Sequence, residues 1–299
     1  MSPSPARRRL LIAAARAAGG VVLLAGGPGM QRGVAGAPAG QATPGRIVAL
    51  AFDKTSGSLI KANPDALYRS TDDGRRWTPV APAPASAARR ITSMALSAGA
   101  TRSLYVAVSG IGVMRSDDGR RRWSPRNEGL PGTDVAALAT HADRAETVYA
   151  YVVGRGIFRS ENGGRRWRLM DAGPRGGITR FVHSNMPGSM QSGWLFAAAP
   201  QGVQRSMDCF CGWRDAGELG HAVRAVAYDP RRPNDVYAAT GAGLFFSADG
   251  GEKWSPSAAP AAAVEALVVT PGGAFYAADV DGRVFRRGKS ATWWERVDA

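Results

Sequence analysis

Cleaving a glycosidic bond takes two carboxyl groups about 5–9 Å apart. This chain of 299 residues offers acids in several short, turn-rich stretches: Asp65, Glu128, Asp134, Asp171, Asp215, Glu218 and Asp281. Arg89, Arg90, Arg126, Arg155, Arg175 and His221 lie in the same stretches, so grip on an anionic ligand is the other chemistry they suit. No spacing in the sequence brings two of the acids together. The stretches contain no Phe, Tyr or Trp to stack a sugar ring, and they are too short for a deep cleft. Together these residues define a possible ligand face and no catalytic pair.

Metal and thiol chemistry fare no better. His141, His183 and His221 recur at similar intervals, which suggests a triad of ligands. His141 and His183, however, close two of the β-rich segments and His221 precedes another, which predicts opposite faces and no metal site. Cys209 and Cys211 are the two cysteines, with no further ligands at a metal-binding spacing. They either fill a turn or, in an oxidising compartment, close a Cys-x-Cys ring. No cofactor is expected.

The elements that carry these residues come from a repeat. Ser70-Thr-Asp72-Asp-Gly74-Arg-Arg-Trp77 returns as Ser116-Asp-Asp118-Gly-Arg-Arg-Arg-Trp123 and as Ser160-Glu-Asn162-Gly-Gly164-Arg-Arg-Trp167. It returns again as Ser206-Met-Asp208-Cys-Phe210-Cys-Gly-Trp213, as Ser247-Ala-Asp249-Gly-Gly251-Glu-Lys-Trp254, and in worn form before Trp294. Successive copies start 46, 44, 46, 41 and 40 residues apart. A fixed period of this size marks a propeller or an array. Each unit reads as four short strands: in the fifth, Val223–Tyr228, then the turn residues 229–235, Val236–Thr240, Leu244–Ser247, and a last strand entered at Trp254. First strands are predicted at 47–53, 91–97, 135–140, 178–183, 223–228 and 264–270. One such sheet cannot bury both faces, whereas six set radially can. The predicted fold is all-β: a six-bladed β-propeller of four-stranded antiparallel blades over residues 46–299.

The phrase Ser-x-Asp-x-Gly-x-x-Trp resembles the Asp-box, or BNR repeat. Copies starting at Ser70 and Ser247 match fully, while the others depart at single positions, such as Asn162 for Asp and Phe210 for Gly. The resemblance implies a structural role for Ser70, Asp72, Gly74, Trp77, Ser116, Asp118, Trp123, Ser160, Asn162, Gly164, Trp167, Ser206, Asp208, Trp213, Ser247, Asp249, Gly251, Trp254 and Trp294. The short acid accepts turn N–H groups, Gly allows a positive φ, and Trp packs between blades. The family includes sialidases, but their early Arg-Ile-Pro element is replaced here by Arg46-Ile-Val. It also includes xyloglucanases, which join two larger propellers. The pattern is similar to the propellers of photosystem II assembly factors and of the sortilin luminal domain, which implies protein or peptide partners.

In such a ring the repeat turns share one face, the motif face, with the first-to-second-strand loops. The opposite, linker face carries the second-to-third-strand turns and the links between blades. The candidate ligand residues named above, Arg89, Arg90, Glu128, Asp134, Arg155, Asp171, Arg175, Asp215, Glu218, His221 and Asp281, belong to the linker face.

Composition adds charge and compartment. The formal net charge is +14, and 34 of the 38 basic residues are Arg, so an anionic polymer or membrane surface could meet the Arg-rich rim formed by Arg75-Arg76, Arg120-Arg121-Arg122 and Arg165-Arg166. Nucleic acid is not expected, because that rim lacks interleaved aromatics. Residues 1–45 read as a leader and linker: Arg7-Arg8-Arg9, a weakly apolar stretch from Leu10 to Gly26, then Gly, Ala and Pro to Pro44. The expectation is export to the periplasm, cell surface or medium, with the leader cleaved or kept as an anchor. The functional expectation is a non-catalytic binding or assembly scaffold; the alternative is a secreted glycoside hydrolase or carbohydrate-binding protein.

Overall fold

The structure, a computed structural model, describes residues 45–80, 89–99, 103–118, 121–288 and 292–298. All but the last residue of the expected leader and linker at 1–45, Arg120 and part of the sixth repeat turn lie outside these residues. None of the described residues is helical, so no helix among them is long and apolar enough to cross a membrane.

Among the described residues twenty-four strands form six sheets, each built from four strands consecutive in the chain and antiparallel to one another. The chain is a six-bladed β-propeller. The blades begin with β1 (Ala49–Asp53), β5 (Ile91–Leu96), β9 (Val135–Thr140), β13 (Arg180–Ser184), β17 (Val223–Asp229) and β21 (Val264–Val269). Second strands are the most buried, as in Leu104–Val108 and Val148–Val152, where every residue is buried. They lie mid-sheet with a blade packed on either side, which is why their sequences run apolar without alternation. Fourth strands are short and exposed, for instance Thr78–Pro79 and Arg214–Asp215.

Several strand limits differ from expectation by one or two residues, as where the first blade starts at Ala49 instead of Ile47. The fourth blade starts at Arg180 instead of Ile178 and pairs without the bulge seen at Thr92, Arg224 and Glu265. In the fifth blade the expected turn at 229–235 shrinks, because the second strand reaches back to Arg232. Arg231 and Arg232 place their guanidinium groups on Asp229, which ties that hairpin tightly.

Four of the repeat turns are held by the side chain at the Asp position of the motif. Asp72 accepts the Arg76 N–H at 2.9 Å, Asp118 those of Arg121 and Arg122, Asn162 that of Arg166, and Asp249 those of Glu252 and Lys253. The Arg76 N–H is the main reason the Asp72 carboxyl is held down at about 2. A general acid needs the opposite shift. The Ser hydroxyls accept the Gly N–H groups of Gly74, Gly164 and Gly251 at 2.8–2.9 Å.

The tryptophans join blades. Trp167 Nε1 donates to Arg126 O at 2.8 Å, Trp254 Nε1 to Ala216 O at 2.6 Å, and Trp294 Nε1 to Ala258 O at 2.7 Å. In each case the acceptor follows the last strand of the preceding blade. Trp213 uses the Asp171 carboxylate at 2.9 Å instead. Trp254→Phe keeps most of the packing and strands one carbonyl, so urea unfolding should show a loss of about 1 kcal/mol.

Among the described residues no strand is lent across the ring junction. The first and last blades share an apolar cluster of Ile47, Leu50, Leu59, Tyr276, Val284 and Trp77. Lys61 reaches Gly282 O at 3.3 Å and Asp298 at 3.8 Å, and the Tyr276 hydroxyl donates to Asp73 at 3.1 Å. Among the described residues side-chain contacts close the ring. Among the described residues Trp77 Nε1 finds no acceptor.

Candidate functional site

The inner strands of all six blades wall a central channel, and its two mouths differ in chemistry. At the motif-face end lies a cavity of about 270 Å³ whose lining includes Phe52, Met94, Leu138, Phe181, Tyr228 and Val268, with Lys54 beside them. It is largely apolar. At the linker-face end the first strands present charge. Glu265 lies 3.2 Å from Arg224 Nη1 and 3.8 Å from Arg46 Nη2. Arg180 points into the same region, within electrostatic reach of Glu265 and Arg46. Burial pushes its guanidinium below the ordinary arginine value, and Glu265 offsets this only in part. Arg180 Nη1 donates to Thr179 O at 2.6 Å, while its buried Nε has no acceptor.

Bulges set some of these side chains in place. An extra residue at the start of the first strand, at Thr92, Arg224 and Glu265, re-aims one side chain out of the blade-to-blade packing. Thr92 spends its hydroxyl on Val135 O at 2.7 Å. Arg224 and Glu265 meet at the mouth.

A second polar cluster lies on the motif face between the third and fourth blades. His141, His183 and Asp208 are all buried, and their ligand-type atoms lie within 4.8 Å of one another. The hydrogen bonds decide what it is. His141 Nδ1 accepts the N–H groups of Asp143 and Arg144, both at 3.0 Å, and His183 Nδ1 accepts that of Ala142 at 3.2 Å. The lone pairs therefore face backbone, and both Nε2 atoms carry the proton. His183 Nε2 donates to Asp208 at 3.5 Å, and His141 Nε2 donates to Ser192 Oγ at 2.7 Å. Ser192 Oγ passes its own proton to Asp208 at 2.5 Å. Nitrogens that donate inward offer no lone pair to a cation. Because His141 donates to Ser192, it cannot act as a base toward that hydroxyl either. The cluster is a satisfied buried network. Burial, aided by neighbouring His183, drives the His141 imidazole down to about 3. Burial alone would raise Asp208, but hydrogen bonds from His183 and Ser192 outweigh it and hold the carboxyl far below its usual range.

Sequence reasoning placed Asp208 in its repeat turn, where the equivalent acids bind turn N–H groups. Here it faces inward, and Ser206 turns its hydroxyl to Met207 O. Phe210 stands where Gly is usual, takes the left-handed conformation (φ 58°), and sinks its ring into the core beside Tyr149. Cys209 and Cys211 are disulfide-bonded across it. His221 lies apart, exposed and 6.3 Å from the Phe245 ring.

The predicted ligand-face residues are spread out. Arg90 pairs with Asp65 at 3.0 Å, and Asp281 pairs with Arg283 at 2.7 Å. Asp171 accepts Gly173 N–H and the Trp213 indole, and Asp215 accepts Gln204. Arg89, Glu128, Asp134, Arg155, Arg175 and Glu218 are exposed. None of these reaches the channel mouth in a contact of the described residues. Of the residues that do gather there, Arg180, Arg224 and Glu265 went unnoticed because they read as parts of strands, and Arg46 was weighed only against the Arg-Ile-Pro element. Their signal was a charge inside the innermost strand, where the ring leaves least room for one.

No protein-family model and no curated protein matches the chain. Solved structures do, and they carry the fold. A GH74 xyloglucanase from Xanthomonas campestris is similar at TM-score 0.60 and 16% identity, over 86% of this chain and 55% of that one. YCF48 bound to D1 peptide matches at 0.56 and 16%, over 85% of this chain and 83% of that one. A chain of the nidogen/laminin complex matches at 0.64 and 11%, over 81% and 93%. This chain spans about half the length of the GH74 enzymes it matches.

Proposed function

We propose that this chain is an exported, non-catalytic binding or assembly scaffold of the BNR/Asp-box propeller kind, taking a protein or peptide partner on its linker face. The observation that carries this reading is the channel mouth, where the Glu265 carboxylate is held by Arg224 and Arg46. A carboxylate whose oxygens are already engaged by two guanidinium groups is not free to serve a substrate, whereas arginines around an opening suit recognition. The comparisons lend support by length. YCF48 with its peptide and the nidogen/laminin chain are matched over most of their length, the GH74 enzymes over half. The leader read in residues 1–45 supports export.

The test uses two baits. The full chain and an Arg155→Glu/Arg175→Glu variant, altered on the exposed linker face, are used to capture polypeptides from the exported fraction. The expected result is a polypeptide retained by the native bait and lost by the variant. Hydrolysis of xyloglucan or of a sialoside by the native chain would overturn the proposal in favour of a secreted glycosidase.

A further inference from the structure

We propose that the linker-face mouth of the channel binds a single carboxylate borne by a peptide, and that Arg180 is the residue that grips it. This rests on the reading that a polypeptide partner uses this face, and it names the group the partner must present.

The charges at the mouth do not balance. Three guanidinium groups meet one carboxylate, and Glu265 engages two of them, Arg224 at 3.2 Å and Arg46 at 3.8 Å. Arg180 is left over. Its one bond to protein is to the Thr179 carbonyl at 2.6 Å, and its Nε is buried with no acceptor among the described residues. A cation withdrawn from water without a counter-charge is costly to the fold. Among the described residues Glu265 forms no ion pair with Arg180, and its field offsets the burial only in part.

The missing partner can be described from what is unspent. One uncommitted guanidinium asks for one negative charge, and its planar fork of N–H groups matches a carboxylate. A phosphate dianion would bring a second charge toward Glu265, whose own partners are already taken. Further along the same inner strand come Phe181 and Val182, which line the apolar cavity. The aliphatic portion of an acidic side chain, or of a chain-terminal residue, would find apolar wall beyond the charged rim.

Binding is read first by thermal unfolding of the full chain in sodium acetate against sodium chloride at equal ionic strength. Two short acetylated peptides are then titrated by calorimetry, one with a free C-terminus and no acidic side chain, the other amidated with a single Glu. Acetate should raise Tm, and at least one peptide should bind; whichever binds tells whether the carboxylate is terminal or lateral. Arg180→Gln should weaken that binding at least ~10-fold while its Tm in chloride equals or exceeds that of the native chain, because a buried unpaired cation has been removed. A purely structural Arg180 would give the reverse, a lower Tm with binding intact. Glu265→Gln frees Arg46 and Arg224, so it should tighten peptide binding and admit inorganic phosphate. Failure of both peptides to bind, unchanged affinity in Arg180→Gln, or tighter binding of phosphate than of either peptide by the native chain overturns the assignment. A polypeptide captured equally by native and Arg180→Gln baits would defeat this inference and leave the scaffold reading standing.

Discussion

Arg115→Ala should lower stability by about 2–4 kcal/mol, because five hydrogen bonds are lost, two of their acceptors are buried in the protein, and the two carboxylates left behind are half exposed. For a chain this long that corresponds to a fall in Tm of roughly 10 °C. Arg115 lies on the third strand of the second blade and is 6% exposed. All five of its N–H groups are used. Nε donates to Asp117 at 2.7 Å, Nη1 to Glu146 at 2.8 Å and to Gly163 O at 2.9 Å, and Nη2 to Ser103 at 3.0 Å and Glu146 at 3.2 Å. Glu146 and Gly163 belong to the next blade, so one side chain ties two blades together. Burial works against the charge, yet the bonds to Glu146 and Asp117 prevail and hold the guanidinium above its ordinary value. A Cβ at Gly163 would overlap the guanidinium, so that turn must be Gly for packing as well as for its φ of 70°. Lysine at 115 offers a point charge in place of a fork and should recover less than half the loss. Arg166→Ala, on the exposed rim, should stay within about 0.5 kcal/mol. Equal melting of Arg115→Ala and Arg166→Ala would show that the tie contributes nothing.

The same device recurs around the ring. Arg159 reaches Asp208 O at 3.4 Å, and Arg205 reaches Gly250 O at 2.6 Å and the Glu252 carboxylate. At the seam Arg286 approaches Asp73 at 3.6 Å. The fifth blade has Phe246 at this position, and that Phe packs on the same apolar cluster as Trp294 of the sixth blade, whose repeat turn is the most worn. Where the polar turn has decayed, the arginine that would bind it is gone as well.

Acid should unfold the chain earlier than its carboxylates alone would require. His141 titrates near 6.5 when unfolded and at about 3 when folded. Between those values the unfolded chain holds more protons, so stability is full above pH 6.5 and falls as pH drops toward 3. Asp208 also has a depressed folded value, so its contribution fades below the usual carboxylate range. Urea unfolding at pH 5.0 should show about 2 kcal/mol less stability than at pH 7.5 on account of His141, at ~1.4 kcal/mol per pH unit below 6.5. His141→Gln should be less stable at neutral pH and nearly flat across that interval. Asp208→Ala removes the acceptor of His183 and Ser192 and should cost about 2–4 kcal/mol at pH 7.5. An unchanged slope in His141→Gln would mean that another group sets the acid limit.

How much of this was legible depended on whether a residue works within its own repeat. Asp72, Gly74 and Trp77 act at fixed offsets in one turn, so spacing revealed the blades and their number. Arg115 and Arg205 also recur, directly before the Ser, yet their partners lie one blade onward, and no local pattern announces a contact across 45–48 residues. Asp208 misled for a related reason. It sits in register with the turn-binding acids, but Ser192 and two histidines from elsewhere in the chain outbid the turn N–H groups. The channel mouth was least visible of all, because bulges and a shifted strand start aim Arg224, Glu265 and Arg180, and neither has a sequence mark.

Every blade is cut from one continuous stretch, so neighbours in the ring are neighbours in the chain at five of six boundaries. At the remaining one, Lys61 must find Gly282 across 221 residues and Asp73 must find Tyr276 across 203. Joining such distant points carries the largest loop-closure entropy in the molecule, and no shared strand offsets it. The docking of last blade on first is therefore the step that completes assembly. Under force or heat the circle should gape there before any petal loses its own sheet.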